Sequence, residues 1–497
     1  MAVGTKSPAA QESAGGYKPE LKRTLGSFQV FAISFAFISV AVGVFGTYDD
    51  VLRTGGPVGI WLWVPVAVGQ TLVALVIAQF AARISLAGSS YQWASRLASP
   101  KIGWGFGWLT YCWLGIAVVA ADNALASTAF MPLFDIAPDE GTARLITLAV
   151  LLVQAVLVVA STRLVGVINA SAVVVELALV AGLVVALIVA VVVSGEGSVG
   201  NLTSRGLSAS DPNYLGVGGG LTLAMIMGLA TLVGFDAAAN LAEEAKNPFR
   251  SVPRAIVGSV VSAAVVGLLF VIALTVAITD IKGTSQSGSP VAAILRGQFG
   301  PAVEKILLIA ITFSFFAAGM VTMATGARLV YAMARDARFP AHRLLRRVDP
   351  RTQTPIPATI LIFAGGVALM VALPGSALLE LITASTILPV LIYAATVVLY
   401  LGVRRRLDHR EGAFSLGRFE LPVAIAALAW LVAALFVLVT PGSAQTPVLI
   451  VLGLLVLGGL FFLGMLTVNR RVLEADPRAD PAVAAASPGG PPAPPGL

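Results

Sequence analysis

Apolar runs of about 20 residues recur along the whole chain, and no other feature restricts its fold so tightly. A run of that length matches the hydrocarbon thickness of a bilayer when it is helical. A chain of 497 residues would otherwise be expected to divide into several soluble domains. Hydrophobic residues make up 57% and charged residues only 11%, too little polar material to coat such domains. The expected fold class is an all-α polytopic membrane protein.

Twelve spans are expected, at about 25–54, 57–82, 103–131, 143–161, 163–193, 217–242, 254–279, 303–334, 355–373, 376–403, 420–440 and 446–469. Between the second and third, Ser85 to Ile102 is polar and aromatic and is expected to form a short helix near the surface. The net charge of +7 does not indicate a nucleic-acid partner, because its distribution is that of a membrane protein. With twelve spans, one face holds only Arg53, Arg144, Arg205, Lys282, Arg296 and Lys305, and the other 26 of the 32 Lys and Arg fall on the opposite face. That basic face includes Lys6, Lys18, Lys22 and Arg23, the run from Arg335 to Arg351, Arg404 to Arg418, and Arg470 and Arg471. Both termini are therefore expected in the cytoplasm of a cell-membrane protein.

The segment Met1 to Thr24 lacks the apolar centre of a cleavable signal peptide, so the first span is expected to direct insertion. A lone Cys112 permits no intrachain disulfide. The Ala, Pro and Gly rich stretch after Arg471 cannot bury a core and is expected to be disordered.

Two spans carry signs of interruption. The first contains Ser39, Val40, Ala41, Val42 and Gly43, with Gly46 following. The sixth contains Gly228, Ala230, Thr231, Leu232 and Gly234, with Phe235 and the acid Asp236 directly after. Glycine in a helix interior weakens it and lets another backbone approach closely. An unwound turn exposes amides that hold a carboxylate and carbonyls that hold an ammonium group. Tight helix packing also selects glycine in membrane helices, so the residues alone leave both readings open.

The stretch from Gly234 through Asp236, Asn240, Glu243, Glu244, Lys246, Asn247 and Pro248 to Ile256 closely resembles the sixth span and following loop of amino acid–polyamine–organocation permeases. Gly88-Ser89-Ser90-Tyr91-Gln92-Trp93 is similar to that family's approach to the third span. The resemblance covers roughly residues 25–470, and the branch carrying amino acids, choline and γ-aminobutyrate is the nearest. It implies the leucine-transporter fold, two inverted five-helix repeats followed by two further helices. The implied divisions are a cytoplasmic tail at 1–24, repeats at 25–193 and 217–403 joined by an extracytoplasmic loop at 194–216, two additional helices at 404–470, and a cytoplasmic tail at 471–497. Substrate would sit between the broken first and sixth spans. Ser39, Val40, Ala41 and Gly43 would face its carboxylate, while Ala230, Thr231, Leu232, Gly234, Phe235 and Asp236 would face its amine. The first span departs from the family's Gly-Ser-Gly-Ile-Phe run, which favours solutes outside ordinary α-amino acids.

Glu176 lies in the middle of the fifth span among valines and leucines. A charged side chain at that depth costs about 2.5–3.5 kcal/mol on insertion scales, so it is expected to face protein or a cavity and to favour its protonated form. It is the candidate proton-coupling residue, with a purely structural hydrogen bond as the alternative. Ser314, with Thr312 and Thr322, is a candidate oxygen ligand on the eighth span, against simple back-bonding to its own helix. Asp236 either attracts the amine or, as favoured here, caps the inner half-helix. Asp122 and Asn123 line the pathway or sit near the outer face. Tyr111, Trp113 and Phe235 are candidates for an aromatic gate, against the commoner role of packing or anchoring at interfaces. Glu243 and Glu244, with Lys246, either pair with loop arginines as an inner gate or form a merely solvated face. The cluster Arg343, Arg346 and Arg347 also suits anionic lipid headgroups.

The two histidines, His342 and His409, lack metal-ligand spacing, and no phosphate-binding loop is present. No enzyme, metal or cofactor is expected. The reading is a secondary transporter of amino acids or related small amines, with protons and membrane lipids as further partners. Choline, polyamine or γ-aminobutyrate carriage, substrate exchange, a channel and a non-transporting receptor remain as alternatives. The oligomeric state is not legible.

Overall fold

The computed structural model describes residues 21–474 apart from 22, 138, 217, 288, 408–412 and 442–443. Lys6, Lys18, Lys22, His409, Arg410 and the tail beyond Glu474 lie outside the described residues. Every regular element described is helical. Among the described residues ten helices are long and apolar enough to cross a membrane. They match ten of the twelve expected spans to within a few residues. The other two correspond to shorter apolar helices, Gly220–Thr231 and Ile356–Ala372. The protein is thus an all-helical, multi-pass membrane protein.

The first span is two helices, α1 (Ser27–Ile38) and α2 (Val40–Thr54). Then come α3 (Trp63–Ala81), α4 (Ser89–Leu97), α5 (Pro100–Ala124), α6 (Glu140–Ala160) and α7 (Thr162–Ser194). The sixth apolar segment is likewise divided, into α8 (Met225–Thr231) and the single turn α9 (Ala237–Asn240). The chain continues through α10 (Pro248–Val276), α11 (Pro301–Arg335), α12 (Ile356–Ala372), α13 (Gly375–Ser385), α14 (Ile387–Val403), α15 (Glu420–Val439) and α16 (Gln445–Glu474).

Local chemistry sets several boundaries. Ser99 precedes Pro100 and accepts from the Ile102 amide at 3.2 Å, starting α5. Ser161 does the same for α7, accepting from Arg163 at 3.1 Å and so separating it from α6. Asp139 caps α6 through the Thr142 amide and hydroxyl, both at 2.7 Å, and those bonds hold its exposed carboxyl below its ordinary range.

The centre of the bundle is α11, with 67% of its apolar window inside the protein, against 11% for the peripheral α16. One expectation is corrected here. The helix between the second and third spans does not lie at the surface: Ser89 through Ser95 of α4 are all buried. Ser89, Tyr91 and Gln92 are directed at Asp236 and Asp336 inside the molecule, in place of water.

Candidate functional site

The first break falls at Ser39, whose φ of 35° and ψ of 93° leave the helical region. Its amide closes α1 on the Phe35 carbonyl at 2.8 Å, and its carbonyl receives the Gly43 amide at 2.9 Å to open α2. The first amides of α2 therefore point into the gap without partners on their own helix. Glu176 of α7, 2% exposed, fills that position. One carboxylate oxygen accepts from the Ala41 amide at 2.9 Å, and the Ser39 hydroxyl reaches both oxygens at 3.1 Å. A carboxylate at a helix N-terminus is favoured by the exposed amides and the helix dipole together. The arrangement thus holds an acid of the protein itself where the sequence suggested an acid of the solute.

The second break opens after α8. The Gly234 amide donates to the Tyr393 hydroxyl at 2.9 Å rather than to Ala230, and the Val233 amide turns to the Thr231 carbonyl at 2.9 Å. The carbonyls of Leu229 and Ala230 thereby lose the donors a continuous helix would give them. Gly234 takes φ of 77°, a conformation that side chains rarely adopt, and a Cβ there would overlap the Phe37 ring. Asp236 accepts from Tyr393 at 2.8 Å and from Ser89 of α4 at 3.2 Å. The favoured expectation that it caps the inner half-helix is corrected, because its side chain makes no capping bond. The packing of α14 and α4 draws the carboxylate sideways to two hydroxyls instead.

The two breaks adjoin. A Cβ on Gly43 would overlap the Thr231 side chain. Ser34 of α1 donates to the Phe235 carbonyl at 2.7 Å and accepts from the Ala238 amide at 3.2 Å. Ser39, Val40, Ala41, Thr231, Leu232, Phe235 and Asp236 are all buried, with Gly43 and Ala230 partly so.

The remaining candidates separate. Thr312, Ser314 and Thr322 each donate to the carbonyl four residues earlier, at 2.7, 3.2 and 2.8 Å. The expected aromatic group is divided among other partners: Tyr111 packs on Phe339, Trp113 on Phe37, and Phe235 stacks on Tyr393 with centroids 4.9 Å apart. Asp122 is fully buried.

A charged layer lies toward the basic end. Glu244 binds Arg328 at 2.7 Å with both side chains essentially inaccessible, and Arg328 also donates to Thr162 at 2.8 Å. Glu243 pairs with Arg335 at 3.0 Å and accepts from the Ala87 amide at 3.0 Å. The backbone around Leu25 joins the same loop through Thr24 and Leu25 to the Glu244 carbonyl, both at 3.0 Å. Both arginines belong to α11, not to the loops that the sequence suggested. Arg328, Tyr393, Ser34 and Gln154 were missed. A charge inside the eighth apolar run was a usable signal for Arg328; nothing local distinguishes the others.

The family profile described as amino acid permease matches residues 25–461. Amino-acid permease BAT1 of Arabidopsis thaliana is 26% identical over 449 residues, covering 84% of this chain and 85% of its own. Its homolog in Oryza sativa subsp. japonica is 25% identical, covering 86% and 88%. An uncharacterized amino-acid permease of Schizosaccharomyces pombe is 25% identical, covering 87% and 79%. The chain belongs to the amino acid permease family, and its relatives are named as transporters, not enzymes.

Proposed function

We propose that this amino acid permease family member is a secondary carrier of amino acids or closely related small amines, working by alternating access. The observation that supports this best is the pair of adjoining helix interruptions, one presenting amides and the other freed carbonyls. A zwitterion needs those two kinds of backbone group in place of its hydration water. The names of the relatives favour amino acids as the substrate class. The ten long helices and the two shorter ones are read as twelve spans, the first ten forming two five-helix repeats that each open on a broken helix. The basic end is read as cytoplasmic.

Glu176 is assigned the coupling role. Protonation would weaken the bonds from the Ala41 amide and the Ser39 hydroxyl, so that a proton on Glu176 and a solute carboxylate at the same amides favour each other. Glu243, Glu244, Arg328 and Arg335 form the closed inner gate. The test is thermal-shift screening of the purified protein against amino acids, amines and quaternary ammonium compounds. Uptake by proteoliposomes, with and without a pH gradient, then follows. Saturable amino-acid uptake and counterflow support the reading; flux that never saturates and shows no counterflow refutes it.

A further inference from the structure

Asp122 of α5 takes no part in either break. Its Oδ1 accepts from Gln154 Nε2 of α6 at 2.7 Å, and the same nitrogen reaches the Phe316 carbonyl of α11 at 3.1 Å. A Cβ at Gly319 would collide with both side chains, so the bare glycine makes the room that the pair fills. Gly319 stands midway along α11, about 25 Å from either end at the helical rise.

Asp122 and Gln154 are fully buried, and each keeps one oxygen, Oδ2 and Oε1, that meets no donor. Two adjoining groups with spare acceptors and no donor between them lack one hydrogen. A neutral carboxylic acid supplies it, because a protonated Oδ2 becomes a donor while Oδ1 still accepts from the Gln154 amide. The result is an acid–amide pair with a donor in place of one of the two spare acceptors, closer to the pairing buried polar groups require.

Charged side chains on α5, α6, α11 and α12 do not provide a substitute. On α6, Arg144 pairs with Glu140; on α11, Lys305 pairs with Asp135, Glu304 with Arg296, and Arg328 with Glu244. Arg335 pairs with Glu243, Lys101 lies exposed at the far end of α5, and α12 carries no charge. A cavity of about 430 Å³ opens at the end opposite the basic loops and is lined by Asn123, Ser127, Asp139 and Glu140. It thus reaches the residue next to Asp122. There α5 passes into a wide π-helical turn, Leu125–Phe130, of a kind frequent at functional positions.

We propose that Asp122 and Gln154 form a buried proton-binding site, distinct from Glu176 and supplied through this cavity. Asp122 holds the proton in the conformation described, and the proton ties α5, α6 and α11 together. On its release, a bare carboxylate faces the Gln154 carbonyl oxygen and the contact loosens.

Infrared spectra of the full-length protein in lipid test this without any transport measurement, and so independently of the carried solute. At neutral pH the wild type is expected to show a protonated-carboxyl stretch that shifts in D2O. D122N should fold, since the new amide restores the missing donor, and should lose that band; E176Q should retain it. Q154L should move the band to higher frequency as its hydrogen bonds are lost. No such band, or one that survives in D122N, overturns the proposal. So does a band that appears only when sodium is withdrawn, which would make the pair a metal-cation site.

Discussion

Replacing Glu176 separates its charge from its hydrogen bonding. The carboxylate serves the Ala41 amide at 2.9 Å and the Ser39 hydroxyl at 3.1 Å from a position closed to water. Bonds to a charged acceptor contribute about 1.5–3 kcal/mol each, and neutral ones about 0.5–1.5. Glu176→Gln keeps one oxygen for Ala41, and the Ser39 hydroxyl can rotate to meet the new amide, so the expected loss of stability is about 1 kcal/mol. Glu176→Ala leaves the Ala41 amide with no acceptor, at about 1–3 kcal/mol, and adds the loss of packing, for about 2–4 kcal/mol in total. Thermal unfolding of the purified variants reads this difference, and proteoliposome uptake across a series of external pH values reads the coupling. Gln is expected to remain folded and bind solute but to lose the pH dependence of uptake, while Ala loses both stability and transport. Wild-type pH dependence in the Gln variant would refute the coupling role. Equal melting temperatures for Gln and Ala would refute the claim that this side chain holds the break.

Two further outcomes test the frame around the site. Gly43→Ala drives a methyl group into Thr231, an overpacking cost of about 1–3 kcal/mol, and should abolish or sharply reduce uptake. Thr231→Ala in the same chain removes the two nearest colliding atoms, though not the Cβ, and should restore melting temperature and uptake in part; a simple sum of the two defects would show that the breaks do not touch. Glu244→Gln leaves Arg328 charged and buried without its acid partner and should cost about 3–5 kcal/mol, read as a lowered melting temperature. The double variant Glu244→Gln with Arg328→Met should recover a substantial part of that loss; a double variant as unstable as the single one would show that the pair does not govern this end of the bundle.

The spans were legible because hydrophobic length is a local property: ten apolar runs became ten long helices with nearly the expected ends. The interruptions were also announced locally, by Ser39 in the first run and by Gly234 in the sixth, though the first break centres on a serine rather than on its neighbouring glycines. Glu176 could be singled out as an acid that had to be satisfied inside the membrane. Its partner could not, because Ser39 lies 137 residues away. The same holds for Asp236, whose Tyr393 is 157 residues distant, and for Asp122, whose Gln154 sits on a different helix. The burial of α4 was hidden for the same reason, since its polar face looked fit for water until neighbouring helices supplied the acceptors. Sequence by itself determined which segments enter the membrane, because transfer from water depends on a segment's own side chains. Only the tertiary structure decided which polar groups meet there, because helix rotation and packing depth are set jointly by all the helices around them.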